Sequence, residues 1–135
     1  MLAEDTRKIA RVIERYARAW SVNDRAALVD SYHGEFTLHY FGKNPLAGTH
    51  RGKAVALAVL TEVARRTNRK LLEIVDATAG SRRGAIVVRE AFEKDGRSIE
   101  LERVLVYTVK DHQLHECWVY DQDQALVDDL LRQTK

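Results

Sequence analysis

Three stretches near the C-terminus, residues 85–93, 98–109 and 114–120, alternate apolar with polar side chains and are separated by two-residue turn signals. Alternation of this kind is the mark of strands with one buried face. Asp95-Gly96 is a strong hairpin signal, and placing it at the tip sets Lys94 opposite Arg97. Phe92 then faces Ile99, Glu90 faces Leu101, and Val88 faces Arg103. Asp111-His112 lacks a glycine but pairs Lys110 with Gln113. Tyr107 is thereby expected opposite Glu116, Leu105 opposite Trp118, and Arg103 opposite Tyr120. Both turns put Ile86, Val88, Glu90, Phe92, Ile99, Leu101, Arg103, Leu105, Tyr107, Val109, Leu114, Glu116, Trp118 and Tyr120 on one side. A one-residue slip of the ribbon would exchange this wall for a more polar one.

A large apolar wall with a few polar groups is what a small-molecule pocket needs, since burial supplies affinity and the polar groups fix orientation. Glu90 lies diagonally from Arg103, about 7–8 Å apart at Cβ, within reach of an ion pair. Such a pair is structural or holds substrate, because a charge in an apolar wall needs a partner. Glu116 sits about 13 Å along the strand from the position opposite Arg103 and is expected to stand alone. Desolvation would raise its pKa, making it the candidate general acid or base; the alternative is a carboxylate that reaches water at the sheet edge. Tyr16 and Tyr40 are candidate hydrogen-bond donors to a carbonyl or enolate, or ordinary core tyrosines. Trp20, Leu38, Val88, Phe92, Leu105, Tyr107, Trp118 and Tyr120 read as lining or core. His50, in the loop Gly48-Thr49-His50-Arg51-Gly52, is placed at a cavity mouth.

Ile9, Val12, Ile13, Tyr16, Ala17 and Trp20 recur at helical spacing and predict an amphipathic helix over 6–20. A shorter helix capped by Asn23 or Asp24 carries Leu28, Val29 and Tyr32 and ends near Gly34. A strand over 35–41, a Gly-rich loop, a helix over 53–66 and a strand over 71–78 follow. Asp121 with Gln124 reads as a capping box before a last helix. Helices set beside a continuous antiparallel sheet define an α+β class, expected as one domain over 1–135.

Lys and Arg number 22 against 20 Asp and Glu, interspersed, for a net charge of +2, which argues against a nucleic-acid partner. Arg65, Arg66, Arg69 and Lys70 read as a solvated helix end. The lone Cys117 is expected to be a small half-buried side chain. The five histidines show no metal-ligand spacing along the chain, so neither metal nor cofactor is expected. No apolar run suits a signal peptide or a membrane span, which gives a cytoplasmic expectation with no membrane partner. Val87, Val104, Val106 and Val119 on the outer sheet face suggest a homodimer.

Arg15-Tyr16 and Asn23-Asp24 ahead of a short helix, the Gly-Thr-His-Arg-Gly loop and the ending from Trp118 through Asp123 resemble the SnoaL-like and ketosteroid-isomerase-like branch of the NTF2-like superfamily. The resemblance implies a cone in which helices packed on a curved antiparallel sheet enclose a pocket for a small hydrophobic molecule. It commonly implies a dimer through the outer sheet face. Tyr16 falls where ketosteroid isomerases keep their oxyanion tyrosine, whereas Tyr40 and Leu105 occupy the positions of the two aspartates. Glu90, Arg103 and Glu116 imitate the carboxylate–arginine–carboxylate composition of limonene epoxide hydrolase, although the expected register puts Glu116 too far from Arg103. Three functions are open at this level: an isomerase, cyclase or dehydratase using acid/base catalysis, a non-catalytic binder of a small molecule, and a dimerisation module.

Overall fold

The computed structural model describes residues 2–133. Positions 1, 134 and 135 of the domain span expected from sequence lie outside them. The order of elements is α1 (Leu2–Ser21), α2 (Arg25–Asp30), β1 (Tyr32–Tyr40), β2 (Gly48–Arg51), α3 (Lys53–Thr67), β3 (Lys70–Ala79), β4 (Gly84–Lys94), β5 (Arg97–Lys110), β6 (Gln113–Asp121) and α4 (Gln124–Gln133). One curved six-stranded sheet runs β2-β1-β6-β5-β4-β3. All its pairs are antiparallel except β1 with β6, which is parallel. The fold class is α+β, with α1 over β3 and β4 and α3 over β1 and β2. The core fills the space between, built on Ile13, Phe36, Leu38, Val63, Ile86 and Phe92.

The first hairpin has the expected register: Lys94 pairs with Arg97, Phe92 with Ile99, and Val88 with Arg103. Asp95 and Gly96 both adopt positive φ, as do Asp111 and His112. Both turns therefore have the handedness that matches strand twist, and Asp111-His112 forms its turn without glycine.

The second hairpin corrects the expectation. Lys110 pairs with Gln113 and Val109 with Leu114, but Thr108 pairs with Glu116, so a β-bulge at His115 advances β6 by one residue. From there Tyr107 meets Cys117, Leu105 meets Val119, and Arg103 meets Asp121. Period 2 makes the consequence complete. Cys117 and Val119 are buried on the helix side, whereas Glu116, Trp118 and Tyr120 turn to the outer face. The physical reason is charge. Unbulged, the strand would enclose an unpartnered Glu116; bulged, it gives Glu116 a bond to His39 Nε2 at 2.8 Å and brings Asp121 in to Arg103.

Local signals place the remaining pieces. Asp24 caps α2 by accepting from the Ala27 N–H, and α2 ends at Asp30, so Tyr32 to Gly34 open β1 instead of closing the helix. The cap of α4 is Asp123, whose Oδ1 accepts from the Leu126 N–H at 3.1 Å; Asp121 is drawn into the sheet and does not serve. The loop read between 42 and 52 contains the short edge strand β2. Gly84 lets α1 approach the sheet, since a Cβ there would lie 2.4 Å from Ile13 Cγ1. Among the described residues, no helix is long and apolar enough to cross a membrane.

Candidate functional site

A cavity of about 440 Å³ opens between the helices and the inner face of the sheet. Its apolar wall comes from Trp20 of α1, Leu28 and Val29 of α2, Phe36 of β1, Leu57, Leu60 and Ala64 of α3, Leu105 of β5, and Cys117 and Val119 of β6. Its polar groups are Tyr16, Asn23, Arg25, Tyr32, Thr61, Arg69, Glu90, Arg103 and Tyr107. That size and mixture suit a small ligand.

Three of these form a phenol cluster. The hydroxyls of Tyr16 and Tyr32 are hydrogen-bonded to each other, Tyr107 bonds to Tyr16 as well, and their rings pack edge to face with centroids 5.4 and 5.7 Å from that of Tyr16. Burial pushes the Tyr16 phenol up to about 12. Burial also drives Tyr32 and Tyr107 well above the ordinary tyrosine value, and their bonds to Tyr16 raise them further. The same bonds favour negative charge on the Tyr16 oxygen. All three are neutral donors at physiological pH, with Tyr16 the best placed to stabilise charge developing on a ligand oxygen. Cys117 lies against Tyr107, and burial lifts its thiol to about 12, so it is an inert part of the wall.

The second polar feature is a chain of alternating charge. Arg69 Nε stands 3.4 Å from Glu90 Oε2, and Arg103 Nη1 donates to Glu90 Oε1 at 3.3 Å. Arg103 Nε donates to Asp121 Oδ1 at 2.5 Å, its Nη2 to Asp121 Oδ2 at 3.2 Å and to the Tyr40 hydroxyl at 2.8 Å. The Arg103 guanidinium also lies over the rings of Phe92 and Tyr40, at 5.3 and 5.6 Å. Side chains of Arg103, Glu90 and Asp121 are each 2% exposed. Burial works against charge on Arg103, but Tyr40, Asp121 and Glu90 outweigh it, and its pKa is raised. Arg69, expected at a solvated helix end, is turned inward just after Asn68, whose left-handed conformation (φ 47°) closes α3.

Of the residues singled out from sequence, Tyr16, Trp20, Glu90, Arg103, Leu105 and Tyr107 meet in the cavity. Tyr40 is buried and committed to Arg103 behind the wall. Leu38, Val88 and Phe92 are fully buried in the core outside the lining. His50 is held by a 2.8 Å bond between Nε2 and the Leu46 carbonyl and does not line the cavity. Glu116, Trp118 and Tyr120 lie on the opposite face because of the bulge. There Trp118 stacks on His39 at 4.9 Å, with the Arg83 guanidinium 4.3 Å from the Trp118 ring, and Tyr120 touches Phe41. Sequence reasoning missed Asp121, Arg69, Arg25 and Tyr32, the last of them read as part of a helix. The signal for Asp121 was Arg103 itself, since a buried arginine demands carboxylates and a single bulge brings one opposite. Also unanticipated, His33, Glu35 and His115 set ligand atoms within 4.8 Å of one another across β1 and β6. His33 is already bonded to Asp111 and the Glu35 N–H, and Glu35 to Lys110.

Residues 13–117 match the family model of the SnoaL-like domain. The chain belongs to the SnoaL-like domain family. Its structure is similar to that of Bal32a from a soil-derived mobile gene cassette, with TM-score 0.82, 18% identity, and 95% of this chain and 99% of that one covered. It is likewise similar to an NTF2-like protein from Burkholderia xenovorans, with TM-score 0.74, 21% identity and coverage of 93% and 97%. A third likeness is to TerC co-crystallised with polyporic acid, with TM-score 0.75, 16% identity and coverage of 92% and 98%. These likenesses establish the NTF2-like fold. Proteins of curated function give no sequence match.

Proposed function

We propose that this protein binds a small, largely apolar molecule bearing a carbonyl or hydroxyl oxygen, with the apolar body against Trp20, Leu60, Leu105 and Val119 and the oxygen at Tyr16. The observation that carries the reading is the pairing, in one cavity of about 440 Å³, of an apolar wall with a cluster of neutral phenols. The co-crystallisation of TerC with polyporic acid, at the level of a shared fold, is consistent with it. A second reading, acid/base catalysis on the bound molecule, is favoured because Glu90 is the one carboxylate among the described lining residues. Two copies joined through the outer sheet face belong to the same proposal, supported by exposed Leu72, Val75 and Tyr120; sedimentation as a monomer at micromolar concentration would remove that part.

The test of binding uses 2-acetylnaphthalene as probe and calorimetry as readout. Saturable binding is expected, with affinity about fivefold lower in Tyr16→Phe, the worth of one net hydrogen bond of about 1 kcal/mol. Glu116→Gln, on the far side of the sheet, should bind as the wild type does. No saturable binding, or equal loss in both variants, would refute the placement of the ligand.

A further inference from the structure

Charge around the cavity is unbalanced. Arg25, Arg69 and Arg103 are among the residues that line it, and Glu90 is the one acidic residue among the described lining residues. Asp121 adds one more from behind Arg103, to which it is bound through two oxygens. Three cations thus face two anions. Arg103 is the satisfied member, with Asp121, Glu90 and Tyr40 all accepting from it. Arg69 is not: its Nε side approaches Glu90, but Nη1 and Nη2 have no hydrogen-bond partner among the described residues. Its side chain is 20% exposed, and neither Nη is among the fully buried atoms left without a partner, so both free donors keep some contact with solvent. Arg25, the first residue of α2, is on the cavity rim and likewise forms no ion pair among the described residues.

A half-buried guanidinium that keeps its fork of N–H donors free is the side chain best matched to a carboxylate, which accepts two parallel bonds. Its charge is felt inside, since Arg69 lowers the cost of ionising Tyr16, Tyr32 and Tyr40 alike. Resting on the binding reading above, we propose that the ligand is an amphipathic carboxylic acid, with its apolar body in the hollow and its carboxylate held by Arg69 and Arg25. The acid supplies the charge the lining lacks and gives the unpaired Nη groups acceptors. It also sets orientation, since the carboxylate end is held at Arg69 and Arg25 while the rest of the molecule extends along the apolar wall toward the phenols.

The experiment compares 2-naphthoate with 2-acetylnaphthalene, close isosteres that differ in charge, by calorimetry on the full chain. The acid is expected to bind at least tenfold more tightly, and its affinity to fall several-fold between 50 and 500 mM salt while that of the ketone stays level. Arg69→Gln and, independently, Arg25→Gln on the exposed rim should bring the acid-to-ketone ratio toward one. Ala64→Trp, which fills the hollow from α3, should abolish binding of both. Equal affinity of acid and ketone in the wild type, or a ratio unchanged in both arginine variants, overturns the anionic ligand and leaves the pocket standing. Failure of both probes to bind, or binding that survives Ala64→Trp, overturns the pocket and the inference with it.

Discussion

Replacing Arg103 by methionine should destabilise the protein by about 3–5 kcal/mol at pH 7, the usual cost of stranding a buried charge. Asp121 would lose both of its bonds to the guanidinium, and Glu90 would keep only Arg69 at 3.4 Å. Both carboxylates are 2% exposed, so water cannot easily take over. That loss is a large part of the roughly 5–15 kcal/mol that domains of this kind possess. In the variant each stranded carboxyl holds a proton more tightly when folded than when unfolded. Stability therefore returns as pH falls and is lost as pH rises past the ordinary carboxyl range of about 4. At pH 5 the deficit should shrink by about 1–3 kcal/mol, at a maximum of about 1.4 kcal/mol per unit and per group. Urea titrations at pH 7 and pH 5, followed through Trp20 and Trp118 fluorescence, measure this directly. Arg103→Met combined with Glu90→Met and Asp121→Leu, which removes all three charges, should recover at least half the loss. A loss under about 1 kcal/mol at pH 7, or the same loss at both pH values, would refute the account of Arg103 as the partner both acids require.

Cys117 should resist thiol reagents in the folded state: with its thiol at about 12, roughly one in ten thousand molecules carries thiolate at pH 8, against about a quarter for an ordinary cysteine near 8.5. Prompt labelling of native protein, as fast as in urea, would place it outside the wall. Tyr16, Tyr32, Tyr40, Tyr107 and Cys117 all have raised values when folded. The stability tied to them is fully present below their unfolded values, about 9 to 10, and is lost above, by up to about 1.4 kcal/mol per pH unit and group; unchanged urea midpoints from pH 8 to 11 would contradict this. Gly84→Ala should cost about 1–3 kcal/mol through overpacking on Ile13, and Ile13→Ala should cost less in that background than alone, a coupling read from the double-mutant cycle.

Alternation and turn chemistry were enough to place β4, β5 and the inner positions Ile86, Val88, Glu90, Leu101, Arg103, Leu105 and Tyr107, because an Asp-Gly turn and one buried face leave a single register. Helical spacing likewise put Tyr16 and Trp20 inward. Arg15-Tyr16, Asn23-Asp24, the loop 48–52 and the ending 118–123 carried the family resemblance, which the domain match bears out. Half of the polar site escaped. Arg69 looked like a solvated helix end until the left-handed Asn68 turned the chain. Asp121 reads as a helix cap in the sequence, but the strand pairing sets it across from Arg103.

Local order along this chain is written in its one-dimensional pattern: period 2 for strands, 3.6 for helices, Asp-Gly for a hairpin tip. The face that β6 shows the cavity is not, because it turns on whether His115 is accommodated as an extra residue, and periodicity is blind to an insertion of one. That choice is made only when β6 is seated between β1 and β5. There His39 offers Glu116 a bond on one side and Arg103 requires Asp121 on the other. Pairing a half-buried Glu116 and a buried Arg103 at once outweighs the regularity of a single strand.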